Sequence, residues 1–368
     1  MSNTDWTLPF AASYRYMRVS RKTGEEIERV YGIKAGGTIT RNRDTSIKQS
    51  ATFEASSYID LGADYLRVYM DCDFLGKQDN CTECLGTYLL SQPQRDIKSG
   101  YYNASITAYS VLQILADAQF EGVLILPKGT NPVTAAKEII EACGLEVIAD
   151  SYDGVIEYAR TYGIGDENSD GSKLECVNDL MDSAGFSAAV PDAYGRVLLK
   201  RYYIPSERKQ THAFVEGKNA RFLPEMTEVE DRFGVANCVK VIYSNEEGYV
   251  IGTARDDDPS SPYSTVNVGR EVWRVDRPSY ELTQEEATAR AQKLLQTENN
   301  ARKKVQIDHT YVPLELGDIV MVDYPSGGIN EEKFFVRTMT YDLSKGGCLM
   351  QSNIKTFNQY DDAETEGE

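Results

Sequence analysis

Alternation of apolar and polar residues with a period of two, concentrated towards the two ends of the chain, most restricts what this sequence can fold into. Ile47, Gln49, Ala51 and Phe53 alternate with Ser46, Lys48, Ser50 and Thr52. After the turn signal Leu61-Gly62-Ala63-Asp64, Leu66, Val68 and Met70 face one way and Tyr65, Arg67 and Tyr69 the other. Towards the C-terminus, Leu316-Gly317-Asp318 introduces an apolar run, Ile319 to Tyr324, read as a strand. Further strands are predicted over 333–341 and 348–356, and Cys238 to Tyr243 alternates as well. A period of two with Tyr, Val and Ile is the pattern of half-buried strands, since successive side chains leave opposite faces.

The middle of the chain has a different period. Asn131-Pro132 predicts a helix start, with Asn as cap and Pro in the first turn. Ala135, Ala136, Ile139, Ile140 and Cys143 form its apolar face, and Gly144 stops it. Ser172 and Glu175 form a capping box before Leu174, Val177, Leu180, Met181 and Ala184, with Gly185 as the stop. Short strands are expected after each glycine, at 145–149 and 186–190. The two stop glycines lie 41 positions apart. A turn at Asp192 to Gly195 leads to another strand, 196–203. A helix is also predicted from Ser105 to Ala118, and a long one opens at Thr283 and Glu286 and runs to about Lys304. The implied class is α+β and β-rich.

Composition narrows the function. The chain has 368 residues, enough for two or three domains. Against 39 Lys and Arg stand 57 Asp and Glu, for a net charge of −18. The densest basic stretches, Arg302-Lys303-Lys304 and Arg208-Lys209, are short, whereas nucleic-acid binding needs clustered cations that release counterions. The surface should therefore repel DNA. If it lines a DNA channel this prevents sticking; solubility alone is an equal reading. The 24 tyrosines suit strands and wet interfaces. The segment 1–10 has neither a basic start nor a long apolar run, so no export signal or membrane insertion is expected, and assembly should take place in the cytoplasm. The acidic stretch 358–368 reads as a disordered tail.

Catalytic signatures are missing: there is no HExxH, GxSxG, P-loop or GxGxxG. Only His212 and His309 offer imidazoles. No enzyme activity is expected. The best metal candidate is Asp166, Asn168 and Asp170, which with Gly171 match the first half of a calcium loop. Position twelve, however, is Val177 instead of a bidentate glutamate, and Glu175 arrives two residues early. A weak calcium site and a polar turn capping the next helix are the two readings, and the residues favour the turn. Apart from calcium here, no cofactor is expected. The run Asp256 to Asp258 reads as a solvated loop. Cys72, Cys81, Cys84, Cys143, Cys176, Cys238 and Cys348 are odd in number and scattered, which fits folding in a reducing compartment. Cys81-Thr-Glu-Cys84 would need Cys72 and a histidine to complete a zinc site, so structural thiols are the default.

Three stretches carry a resemblance to a family. They are Leu61 to Met70; Asn103 to Gly144, with Ile106-Thr107-Ala108-Tyr109-Ser110-Val111-Leu112 and Leu126-Pro127-Lys128-Gly129-Thr130; and Glu285 to Ile354, with Leu316-Gly317-Asp318-Ile319-Val320-Met321-Val322. In layout the chain resembles the baseplate hub proteins of tailed phages and related contractile injection systems. The resemblance implies two similar small β-barrel domains, 1–125 and 211–357, flanking an inserted α/β region, 126–210. It implies a non-catalytic homotrimer, whose pseudo-sixfold ring at the virion tail tip joins the hexameric tail tube protein to a spike or fibre protein, near the tape-measure protein. A tail-associated peptidoglycan hydrolase or peptidase, and a receptor- or glycan-binding tail-tip protein, are the alternatives.

Overall fold

The computed structural model describes residues 4–91, 94–98, 101–163, 171–203, 208–230, 235–245, 248–261, 263–278, 281–299, 303–343 and 349–356. The chain forms two compact units, each assembled from separated segments. The first comprises Met1–Tyr203, Asp308–Leu316 and Arg337–Ser352; the second comprises Ile204–Ile307, Gly317–Val336 and Asn353–Glu368. Residues 211–357 thus contribute to both. No helix among the described residues is long and apolar enough to cross a membrane.

The first unit opens with β1 (Ala11–Val19), β2 (Glu26–Arg29), β3 (Thr38–Asn42), β4 (Gln49–Ala55), β5 (Tyr65–Asp73), β6 (Cys81–Leu90), β7 (Gln94–Lys98) and β8 (Tyr101–Ser110). Antiparallel pairing runs in the order β3-β4-β8-β6-β5-β1-β2, with β7 also on β8. Residues 338–342 of the strand Ile329–Asp342 add to the outer side of β3, Thr338 opposite Asn42. The alternation read from the sequence holds: Gln49, Ala51, Phe53 and Ala55 are buried in β4, and Leu66, Val68 and Met70 in β5. Arg67 and Tyr65 are buried too, because β5 is covered on both faces.

The helix expected from Ser105 is corrected. Residues 105–110 belong to β8, and only α1 (Leu112–Asp117) is helical. Ile106, Tyr109 and Leu112 fit a helical stripe, but Ala104, Ile106, Ala108 and Ser110 also fit a period of two, and those are the buried positions. Pairing to β4 on one side and to β6 and β7 on the other satisfies the backbone and decides between the two periods.

After α1 come β9 (Leu124–Leu126), α2 (Pro132–Ala142), β10 (Val147–Ala149), β11 (Arg160–Tyr162), α3 (Lys173–Ser183), β12 (Val190–Pro191) and β13 (Val197–Leu199). Asn131 caps α2 by accepting from the Thr134 N–H, and Ser172 caps α3 by accepting from the Glu175 N–H. Gly144 and Gly185 follow at φ +75° and +71°, left-handed turns that suit glycine. β10 runs parallel to β13, which pairs antiparallel to β12; β9 and β11 form a separate antiparallel pair. The strand expected at 186–190 reduces to a bridge at Phe186 and to β12. Ile139, Ile140, Leu174, Val177 and Leu180 pack in one apolar cluster with Val19 of β1 and Tyr65 of β5, so these helices share a core with the strands.

The second unit contains β14 (Gln210–Val215), β15 (Phe222–Glu230), β16 (Cys238–Asn245), β17 (Gly248–Arg255), α4 (Thr265–Val268), β18 (Trp273–Asp276), α5 (Gln284–Asn299), β19 (Lys303–Thr310), β20 (Ile319–Tyr324), β21 (Ile329–Asp342) and β22 (Leu349–Thr356). Strands β19, β21 and β22 contribute residues to both units. β20 lies between β14, parallel, and β21, antiparallel. β16 is flanked by β17, antiparallel, and β18, parallel. Helix α5 covers one face of this small sheet, with Ala287, Ala291 and Leu295 buried against Val239, Val241 and Ala254. The capping box at its start forms as read: Thr283 and Glu286 bond each other's N–H. The helix ends at Asn299 instead of Lys304. Lys303 opens β19, where Val305, Ile307 and His309 are buried on alternate positions.

Candidate interaction surfaces

The Leu61-Gly62-Ala63-Asp64 and Leu316-Gly317-Asp318 turns each start a strand through a left-handed glycine, Gly62 at φ +57° before β5 and Gly317 at φ +85° before β20. In the first, Asp64 accepts from Arg18 Nε of β1 at 2.7 Å and from the Arg21 N–H at 3.3 Å. The Arg18 guanidinium, then the Arg21 N–H, hold the Asp64 carboxyl below its ordinary range. In the second, Arg208 donates to the Gly317 carbonyl.

A clamp that sequence reading did not find ties the predicted Asp192–Gly195 turn to the strands. Arg67 on β5 donates from Nε to Thr87 Oγ1 on β6 at 3.0 Å, and from Nη2 to the Tyr194 carbonyl at 3.0 Å. Thr87 donates onward to the Ala193 carbonyl at 2.9 Å, and the Cys84 thiol reaches the same oxygen at 3.2 Å. The Arg67 guanidinium lies 5.4 Å from the Tyr194 ring centre. Asp192 closes the turn, taking the Arg196 N–H at 2.8 Å and Arg196 Nε at 2.6 Å. Gly195 sits at φ +86°, and a Cβ there would stand 3.1 Å from Thr87. The only local signal was the arginine itself, placed among Tyr65, Leu66, Val68, Tyr69 and Met70.

The small sheet of the second unit has an open face. Register places Lys240, Ile251, Trp273 and Val275 opposite the side that α5 covers. Ile251, Trp273 and Val275 are 45, 41 and 46% exposed, and Tyr249 beside them is 77% exposed. Lys240 Nζ stands 5.0 Å from the Trp273 ring centre. The indole N–H donates to Glu271 at 2.8 Å, and Glu271 meets Arg255 at 2.6 Å. The Trp273 N–H, then Arg255, hold the Glu271 carboxyl below its ordinary value. A tryptophan with its N–H satisfied and its ring open, beside a lysine, is chemistry suited to protein contacts.

The calcium candidates Asp166, Asn168 and Asp170 lie outside the described residues, as do Cys348 and the acidic stretch 358–368. The adjoining Glu175 carboxylate accepts from the Gly171 N–H at 3.1 Å, which engages it at the start of α3. The run Asp256–Asp258 is not simply a solvated loop. Asp256 is buried and accepts from Ser261 Oγ at 2.5 Å; Asp258 takes the Ser260 N–H at 2.8 Å. The zinc set is not assembled. Cys81 opposes Cys72 across β5 and β6, whereas Cys84, three positions along the strand, leaves its other face. Among the described residues no three His, Cys, Asp or Glu side chains group to hold a metal. His309 is buried with Nδ1 2.7 Å from the Thr310 carbonyl, and burial lowers the His212 pKa.

No protein-family model and no curated protein matches the sequence. Solved structures do match, over nearly the whole chain. A tail protein from Neisseria meningitidis MC58 aligns over 94% of this chain and 96% of its own, at 14% identity and a TM-score of 0.64. The 43 kDa tail protein of prophage MuSo2 from Shewanella oneidensis aligns over 93% and 97%, at 13% identity and 0.65. A prophage tail protein from Listeria monocytogenes EGD-e aligns over 96% and 97%, at 13% identity and 0.55. The resemblance drawn from the sequence therefore stands at the level of architecture: the chain has the fold of bacteriophage tail proteins.

Proposed function

We propose that this chain is a structural hub subunit of a phage-type tail tip. Three copies form a ring that joins the tail tube to the spike or fibre and leaves a passage for DNA or other cargo. The observation that carries the reading is the likeness to prophage tail proteins across almost the full length of both partners. Two β-rich segments, each holding a strand that starts after a Leu-Gly-(Ala)-Asp turn with a left-handed glycine, support a duplicated unit of the kind a threefold ring beneath a sixfold tube requires. The net charge of −18 suits a passage that DNA does not adhere to. Exposed apolar faces, such as that around Trp273, are the sort of area that subunit contacts draw on. The particle's tail tip is the proposed location, and the tube, spike or fibre and tape-measure proteins are the proposed partners.

Mass photometry of the purified chain, alone and mixed with its tube protein, tests this. A trimer in either sample is the expected result. A strict monomer that also ignores tube protein defeats the hub reading, and digestion of purified cell wall by the chain would replace it with the hydrolase alternative.

A further inference from the structure

The Cys81-Thr-Glu-Cys84 motif finds no use in the hub reading. It lies in β6, and an extended strand rises about 3.3 Å per residue, so its two cysteines stand roughly 10 Å apart. A disulfide needs Cα atoms within about 7 Å, so the motif cannot close on itself. Cys84 is also engaged elsewhere, its thiol donating to the Ala193 carbonyl at 3.2 Å.

Cys81 has a different neighbour. It stands directly opposite Cys72 of β5 in antiparallel register. Directly opposed residues have Cα atoms about 4.5–5.5 Å apart, inside the range that a disulfide spans. Neither cysteine is in a disulfide, and the two side chains hydrogen-bond. Cys72 is buried and Cys81 half-exposed, so a soluble oxidant meets Cys81 first. Burial pushes the Cys81 thiol up, and the bond from Cys72 draws it part of the way back.

We propose that Cys72 and Cys81 are a disulfide-forming pair, closed by exchange with a low-molecular-weight disulfide such as oxidised glutathione. The Cys81 thiolate attacks one sulfur of the reagent; its S–S bond breaks and one glutathione thiolate leaves. Cys72, losing its proton, then attacks Cys81 Sγ, and the mixed disulfide releases the second glutathione. Two protein thiols are oxidised by two electrons, the reagent is reduced to two thiols, and their protons come from the two cysteines. The bond would staple the hairpin whose loop receives the N-terminal segment. Phe74 in that loop lies 5.3 Å from Phe10 and 5.8 Å from Trp6, ring to ring, and Gln78 accepts from the Asp5 N–H at 3.0 Å.

The test is peptide mass mapping of the full chain after oxidised glutathione at about pH 8.5, near the ordinary thiol pKa. Parallel samples carry dithiothreitol. The expected product is a peptide pair joined through Cys72 and Cys81, two hydrogens lighter than the separate peptides and lost with dithiothreitol. It persists in Cys84→Ser and disappears in Cys81→Ser. Glutathione left on Cys81 while Cys72 stays alkylatable overturns the proposal, as does a link through Cys84 or no reaction at Cys81.

Discussion

Arg67 shows how much one residue organises. Its side chain is largely buried, with Thr87 Oγ1 and the Tyr194 carbonyl as acceptors and Glu26 at 3.8 Å. Arg67→Ala leaves these oxygens underused in a desolvated place, at a cost of roughly 2 kcal/mol. Chemical denaturation should read that loss, and hydrogen exchange should quicken at residues 192–196. Arg67→Lys should rescue little, because a single ammonium cannot reproduce the forked donation. Only the arginine itself marks this clamp locally, since the two ends of its bond to Tyr194 are 127 positions apart in sequence. Carboxylates at the margin of the same sheet carry a pH dependence. Asp64 is held down by Arg18, and Asp71 first by Arg15. Their stabilisation is complete above the unfolded carboxylate pKa, about 3.9, and is lost as pH falls through their lower folded values. Thermal midpoints measured downward from pH 6 should therefore fall less steeply in Asp64→Asn/Asp71→Asn than in the parent.

Among the elements, α5 depends on a close approach that only glycine allows. A Cβ on Gly252 of β17 would stand 2.1 Å from the Ala287 backbone carbon. Gly252→Val must lift the helix from Val239 and Val241, costing roughly 1–3 kcal/mol or more. Loss of near-ultraviolet signal and a lower denaturation midpoint are the expected readouts. At α3, Ser172→Ala removes the oxygen that receives the Glu175 N–H and should cost about 1 kcal/mol by the same denaturation assay. The caps of α2, α3 and α5 and the stop glycines of α2 and α3 were legible because each is settled within four residues. Residues 105–110 and 303–304 were not. Their side chains tolerate either period, and pairing with strands distant in sequence chose between them.

For the whole molecule, charge governs association. Each copy carries −18, so copies repel at low ionic strength. If the ring forms, its population should rise as salt goes from about 10 mM to about 150 mM, where the screening length falls from about 30 Å to about 8 Å. Mass photometry across that range checks this, and a trimer that dissolves on adding salt would instead point to ion pairs holding it.

The β-rich α+β class, the helix caps and the left-handed turn glycines followed from the sequence alone, because alternation, capping and φ preference are short-range properties. The order of the strands, the Arg67 clamp and the facing of Cys81 to Cys72 instead of Cys84 came only with tertiary structure. Each depends on register between strands. A shift of one residue would turn every side chain to the other face, and what sets that register is burial summed over the whole sheet.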